Sequence, residues 1–446
     1  MLAIKPLKIF ACAAQAMVLA WGPARAESPE RVDNVEYTLA QALADAPGVV
    51  DNTVLTLAQA LALAEQHSQA LRAQDSAMQA ARHQAVAASQ LPDPMLMLEV
   101  SNIPADGPDQ FSLGADFMTM RGVGLSQTLT RQNKRLAQAD VFSKGADLEQ
   151  VRKWQALSEL RMGAAQAYLD HFYLQAMLEL LQQQRTELAL QVQAADALYR
   201  AGRGAQADWF AAQTELGLMD VRILDAQSQL QNAAAELARW LGDVAPFRSL
   251  MAVDIKRTAL AGKNLQAELG RQPQVLALQT LAQQLYAEAE VRQQEKTADW
   301  TVSVMYAGRG PAFSDMLTLG ASRPLFVDED QRQNQALAAA NARAAQAQAE
   351  RTEMLRKQVL QVQRWQQTWQ SNLKRLEDFD RSLIPLTQQR TEAALAAYRG
   401  NTGGLGDVLA ARRMALDMRM EKLRIEMETA RLWAQLEYLI PPEVQP

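Results

Sequence analysis

The side chains able to do chemistry are few and scattered. His67, His83 and His171 share no i, i+4 spacing and have no acidic partner in a metal-ligand pattern. His171 falls on an apolar helical seam, where packing accounts for it. Met95-x-Met97 and Met118-x-Met120 offer thioethers, ligands soft enough for copper(I) or silver, but methionine also fills gaps in apolar packing. Asp208 and Asp407 each follow a glycine-rich turn at the start of a helical stretch. A carboxylate there caps the helix and is favoured by its dipole. Gly202-x-Gly204 and the glycines from 400 to 406 follow helical patterns and not strands, which argues against a phosphate loop. No catalytic triad and no basic stripe is present, so the chain reads as a non-enzyme that binds no nucleic acid and needs no metal or cofactor.

The elements that position these residues are long helices. Of the 446 residues 48% are hydrophobic but only 6% aromatic, and Ala, Leu and Gln fill the chain in place of the residues that build thick cores. Lys5 and Lys8 precede an apolar run from Ile9 to Ala20 and the small-residue site Ala24-Arg25-Ala26, the pattern of a secretory signal. Cleavage after Ala26 removes Lys5, Lys8 and Arg25 and no acid, taking the net charge from -5 to -5 - 3 = -8. It also removes Cys12, the single cysteine. Beyond Ala26 no stretch reaches the roughly 18 apolar residues of a membrane helix. Membrane insertion would have to be through β-strands.

The chain repeats itself. Tyr199-Arg200 aligns with Tyr398-Arg399, and the same offset aligns Gly204 with Gly403 and Asp208 with Asp407. Upstream, Val123-Gly124-Leu125-Ser126 meets Leu319-Gly320-Ala321-Ser322, and the stretch from Met95 to Ser101 meets Trp300 to Tyr306. Each copy begins with a helical pattern, broken in the first by His67-Ser68 and stopped by Leu91-Pro92-Asp93-Pro94. A pair of alternating stretches follows. In the first copy these are 95–101 and, after Gly107-Pro108, 111–118; in the second they are 301–306 and 317–322.

Each pair leads into a very long helix, expected over 131–200 and 330–399, whose seventy residues span about 105 Å. Leu160, Ala164, Ala167, His171, Leu174, Leu178 and Leu181 recur at spacings of four and three, a coiled-coil seam. Pro385 should kink the second of these helices. Glycine turns then reverse the chain into helices expected over 206–241 and 406–437. Two short helices end to end beside one long one would make a rod, with strands at one end and glycine turns at the other. Four strands cannot close a barrel, and an open edge is not tolerated in lipid. If the strands span a membrane, several chains must share one barrel.

The expected organisation is a signal peptide at 1–26, an N-terminal extension at 27–54, a first repeat at 55–250, a connection at 251–262, a second repeat at 263–440 and a tail at 441–446. A duplicated Thr-Leu-Ala-Gln-Ala-Leu at Thr38 and Thr56 stands outside this plan.

Several motifs resemble the TolC family of outer-membrane efflux channels. They are Leu55-Thr56-Leu57-Ala58-Gln59-Ala60-Leu61, Pro92-Asp93-Pro94-x-x-x-Leu98-Glu99-Val100, Tyr199-x-x-x-x-Gly204-x-x-x-Asp208 and Tyr398-x-x-x-x-Gly403-x-x-x-Asp407-Val408-Leu409. The start and spacing of the strands are most similar to the heavy-metal efflux branch, the CzcC and CusC type. The strand-to-helix junctions Thr128-Leu129-Thr130 and Pro324-Leu325-Phe326-Val327-Asp328 match that branch only in part. The resemblance implies a mainly α fold with a small β part: a coiled-coil tunnel through the periplasm and a barrel in outer-membrane lipid shared by a homotrimer. It implies a passive conduit served by a periplasmic adaptor and an inner-membrane pump of the resistance-nodulation-division class, with metal cations among the candidate substrates.

Under this resemblance Asp407 falls where the family places pore carboxylates, with Asp208 its counterpart in the first repeat. Gly403 occupies the position of the family's gate arginine, and Ala410 that of its second aspartate. Tyr199, Gly202, Gly204, Tyr398, Gly400 and Gly403 form the adaptor-docking tips, and Pro385 bends the second tip. The competing reading, a periplasmic coiled-coil adaptor or scaffold, explains the helices but not the alternating segments.

Overall fold

A computed structural model describes residues 54–242, 249–400 and 402–444, all within one unit, Thr53–Pro446. Residues 1–53, with the expected signal sequence, Cys12 and the Thr38 motif, residues 243–248, Asn401 and the last two residues lie outside the described residues.

The first repeat opens with β1 (Val54–Leu55), α1 (Leu57–His67) and α2 (Gln69–Ala88). Thr56 caps α1 through a reciprocal box with Gln59, and Ser68 accepts from the Leu71 N–H to cap α2, which is why the helical pattern breaks there. Strands β2 (Met95–Ser101) and β3 (Met120–Leu129) follow, then α3 (Gln132–Arg200) and α4 (Gln206–Leu241). β4 (Ser249–Leu250) ends the first repeat, and the second contains α5 (Leu265–Leu269), α6 (Pro273–Glu295), β5 (Trp300–Gly308) and β6 (Met316–Ser322). Its long helix runs as α7 (Gln333–Asp378), a π turn (Phe379–Leu383) and α8 (Ile384–Arg399), and α9 (Leu405–Glu437) returns. With 69 residues α3 is about 104 Å long. It packs on α2 and α6 toward the strands and on α4 toward the turn, so short helices lie end to end beside the long one.

One expected strand is corrected. Residues 111–118 form a loop, and the second strand of the first repeat is β3. Phe111 takes φ 57°, which a strand cannot accommodate. The Ser112 hydroxyl accepts from the N–H groups of Gly114 (3.3 Å) and Ala115 (2.9 Å), and Asp116 accepts from Met118 N–H at 2.6 Å. These short side chains capture the backbone donors that a ladder would need. The internal alignment had already set Val123–Ser126 against Leu319–Ser322, which lies in β6.

The four longer strands form one antiparallel sheet in the order β2-β3-β5-β6, so the two repeats meet at β3 and β5. Its junction with the helices is clamped across the repeats. The Arg131 backbone N–H and Lys134 Nζ donate to Asp299 at 3.1 and 2.9 Å, and the Arg131 guanidinium donates to Thr297 O at 2.7 Å.

Midway along the helices a belt closes the inter-repeat connection. β1 and β4 pair in parallel. The fully buried Tyr168 places its hydroxyl 2.7 Å from Leu55 O and accepts the Met251 N–H at 2.8 Å. Trp369 and Trp433 donate their indole N–H to Ile255 O and Arg257 O. The main apolar cluster lies here, built from Leu160, Ala164, Tyr168, Val362, Trp369 and Trp433 among others. A second cluster, with Leu188, Ala212, Ile223, Val408 and Leu416, lies toward the turns. His171, on the expected seam, is half-buried; burial lowers its pKa and leaves its Nδ1 without a partner.

Candidate functional site

Three places along the rod carry unusual side chains: the sheet, the turns, and the contact between the two hairpins above the turns.

Cross-strand register sorts the sheet into two faces. One carries the rows Leu98, Val123, Tyr306, Leu317 and Leu96, Leu125, Val304, Leu319. Alternate residues belong to opposite faces, so the other face carries Met95, Met97, Glu99, Ser101, Gly122, Gly124, Ser126, Thr301, Ser303, Met305 and Thr318. The apolar face is uncovered: Leu98 is 76% and Leu319 75% exposed. An uncovered ladder of Leu and Val facing away from a polar side is the pattern of a membrane β-barrel wall. Strands of seven to ten residues approach the bilayer requirement of about 9–11. Among the described residues β2 and β6 each pair with one neighbour, which leaves both edges of the sheet open.

At the first turn Gly202 adopts φ 68°, the left-handed conformation that ends a helix, and Arg203 N–H returns to Leu198 O at 2.9 Å. Tyr199 stacks on Trp209, centroids 6.3 Å apart and planes 7° from parallel, and Phe210 beside Trp209 is 51% exposed. Asp208 occupies the first turn of α4, which has no side-chain cap bond.

At the second turn Gly400, Thr402 and Gly403 donate N–H groups to Ala396 O and Ala397 O. A Cβ at Gly403 would stand 3.1 Å from Ala397 Cβ, so the position expected to hold a gate arginine is packed against its own hairpin. Asp407 Oδ2 accepts the Gly404 N–H at 3.3 Å, giving this carboxylate a capping contact at the start of α9. Tyr398 packs against the second apolar cluster, which contains Leu405, Val408 and Leu409.

Above the turns α9 is tied to the first hairpin by charge. Arg412 reaches Glu187 at 3.0 Å, Arg222 reaches Asp417 at 3.2 Å, and Arg413 pairs with Glu215. Around them lies a cavity of about 140 Å³ lined by Leu188, Met219, Leu409 and Leu416 with these arginines. Sequence reasoning missed this ladder. Each charge is visible in the sequence, but spacing along one helix does not reveal which face meets another helix.

Pro385 lies just after the π turn, at the start of α8. The widened turn accommodates the donor that proline lacks, so helical structure continues past the proline. Lys422 on α9 fastens the turn, 2.6 Å from Asp380 and 3.5 Å from Glu426, whose carboxyl is pushed above its ordinary pKa by burial. Among the described residues no cluster of three His, Cys, Asp or Glu could hold a metal ion, and no helix is long and apolar enough to cross a membrane.

Residues 32–243 match the model of the family described as outer membrane efflux protein. Solved structures share the fold at low identity. CmeC, an outer-membrane channel of Campylobacter jejuni, aligns with TM-score 0.74 and 13% identity over 87% of this chain and 85% of its own. CusC, described as forming a transmembrane channel, aligns with TM-score 0.72 and 16% identity over 85% of this chain and 91% of its own. VceC, an outer-membrane protein of Vibrio cholerae, aligns with TM-score 0.69 and 18% identity over 86% of this chain and 95% of its own. These structures do not single out the metal-efflux branch. No curated protein matches the chain significantly.

Proposed function

We propose, from the premise that residues 32–243 belong to the outer membrane efflux protein family and that the second half repeats their plan, that this chain is the outer-membrane conduit of a tripartite efflux system. The observation that carries this is the sheet: four strands with one bare apolar face and two open edges, mounted on helices about 100 Å long. Lipid covers the apolar face. Further copies of the chain satisfy the open edges, since backbone donors in a bilayer must all be paired. Three copies give twelve strands, enough to close a barrel, and the helices continue it as a tunnel through the periplasm.

Conduction is passive, and family members are channels, not enzymes. The partners are a periplasmic adaptor docking at the two turns, through Tyr199, Gly202, Gly204, Tyr398, Gly400 and Gly403, and an inner-membrane pump of the resistance-nodulation-division class. Asp407 lines the constriction, with Asp208 beside it. Closure relies on the ladder between the hairpins, because Gly403 supplies no charge. Pro385 and its π turn direct the second tip. Metal cations are a candidate substrate class, carried by the sequence resemblance to the metal-efflux branch. An adaptor or scaffold role would leave the bare sheet face unexplained.

The test is fractionation of expressing cells. Heat-modifiable, SDS-resistant trimers in the outer membrane that conduct ions in planar bilayers are expected. A soluble periplasmic monomer would refute the proposal.

A further inference from the structure

The polar face of the sheet holds side chains that a water-filled barrel does not call for. Interiors of such barrels are ordinarily polar, yet this face carries Met95, Met97, Met120, Met305 and Met316. Apolar packing does not explain them, since the leucines and valines occupy the other face and Met95 and Met316 are 64% and 44% exposed.

Two of these methionines face one another across a gap. In register, Met97 pairs with Gly124, and Gly124 pairs on its other side with Met305. Adjacent strands lie about 4.8 Å apart, so the two methionine backbones stand about 10 Å apart with no side chain between them. The neighbouring row repeats the gap: Glu99 pairs with Gly122, and Gly122 with Ala307. The Met305 thioether leans into that space, its Sδ 2.9 Å from where a Cβ on Gly122 would be. A Cβ on Gly124 would come within 3.1 Å of Met305 Cβ. The two glycines thus leave a shallow pocket roofed by Met305 and bordered on β2 by Met97 and Glu99. Two flexible thioethers reaching inward across about 10 Å can meet on one ion between them. Thioethers select soft ions, and hard cations such as potassium or magnesium prefer oxygen.

We propose that Met97 and Met305, opposed across Gly124, form a two-thioether binding site for a soft monovalent cation, copper(I) or silver(I), with Glu99 supplying the countercharge. The site rests on the reading of this face as the barrel lumen and deepens it, giving a soft ion a resting place inside the membrane segment. Binding there is an ion–ligand association with no change of oxidation state.

The experiment uses the purified trimer in detergent, in chloride-free nitrate buffer, titrated with silver nitrate by calorimetry and checked for bound silver by mass spectrometry after desalting. About one saturable silver ion per chain is expected, and Met97→Leu or Met305→Leu, which keep volume and apolarity, weaken it by about tenfold or more. Met251→Leu, at the belt, binds as the unaltered chain does. Potassium nitrate conductance of the Met251→Leu trimer matches that of the unaltered chain. A conducting trimer that takes up no silver, or uptake that survives the double substitution, overturns the site while leaving the channel reading intact. A chain that neither trimerises nor conducts overturns both. Silver-edge X-ray absorption of the unaltered trimer decides without any variant: sulfur neighbours support the site, and oxygen or nitrogen neighbours alone overturn it.

Discussion

Replacing Arg222, Arg412 and Arg413 together by glutamine should loosen the closed channel. The three pairs they form join α9 to the first hairpin, and the hairpins cannot part above the turns while these pairs hold. Their side chains are between 22% and 55% exposed, so each pair contributes on the order of 0.2–1 kcal/mol, well below the value of a buried bridge. On the proposed closure, the three together favour the closed form by about 0.6–3 kcal/mol. That corresponds to an increase of roughly 3- to 140-fold in the open-to-closed ratio when all three are lost. The assay is single-channel recording in planar bilayers at low and high potassium chloride. Screening shortens from about 10 Å at 0.1 M to about 3 Å at 1 M, so the unaltered channel should open more at high salt and the triple variant should open at both. A triple variant that forms trimers yet keeps the original open fraction and its salt dependence would refute the ladder as the closing element.

Four further outcomes follow from single residues. Asp407→Asn keeps an oxygen for the Gly404 N–H and removes the charge, so cation selectivity in bilayers should fall with the fold unchanged; equal reversal potentials would exclude Asp407 from the constriction. Phe210→Ala should impair adaptor-dependent export in cells while leaving bilayer conductance alone, because this exposed ring lies at the tip and away from the ladder. Pro385→Ala restores a backbone donor next to the π turn, worth up to about 3 kcal/mol in a helix interior, and should change the closed-state conductance; an identical trace counts against a role in aiming the tip. Glu426 has a pKa raised by burial, so the folded chain holds its proton more tightly than the unfolded one and stability falls as pH rises through that interval. Glu426→Gln should therefore raise the melting temperature of the trimer at pH 7, with the gain vanishing below the ordinary carboxylate range; a gain that persists in acid would point to lost contacts with Lys422 instead.

Helices and turns were legible because their causes are local. The seam through Leu160 and Leu178, the Thr56 and Ser68 caps and the glycines after Arg200 and Arg399 set helix ends from neighbours a few residues away. The stretch 111–118 misled because its alternation is real but its serine and aspartate side chains bind the backbone first. Pro385 was visible, but the π turn that accommodates it depends on Lys422 and Ile425 from the returning helix. Gly403 reads as a missing charge until its contact with Ala397 is seen. The ladder, the stacked Tyr199 and Trp209 and the Met97–Gly124–Met305 row all depend on which faces meet, and chain order does not contain that information.

The two repeats agree where they pack and differ where they do chemistry. Both supply strand, strand, long helix, turn and returning helix, so the proposed trimer surrounds its axis with six similar units. A strictly sixfold tunnel would place the same group at every tip. Here one tip stacks Tyr199 on Trp209 and exposes Phe210, and the other seats Asp407 against Gly404. Only the second long helix carries a π turn, and the Met97–Gly124–Met305 row requires a strand from each repeat. Aromatic tips present surface to a partner, and a carboxylate on a capped turn presents charge to a narrow axis. On the proposed channel reading, divergence of the copies divides docking from gating between two hairpins whose shared packing keeps them in one wall.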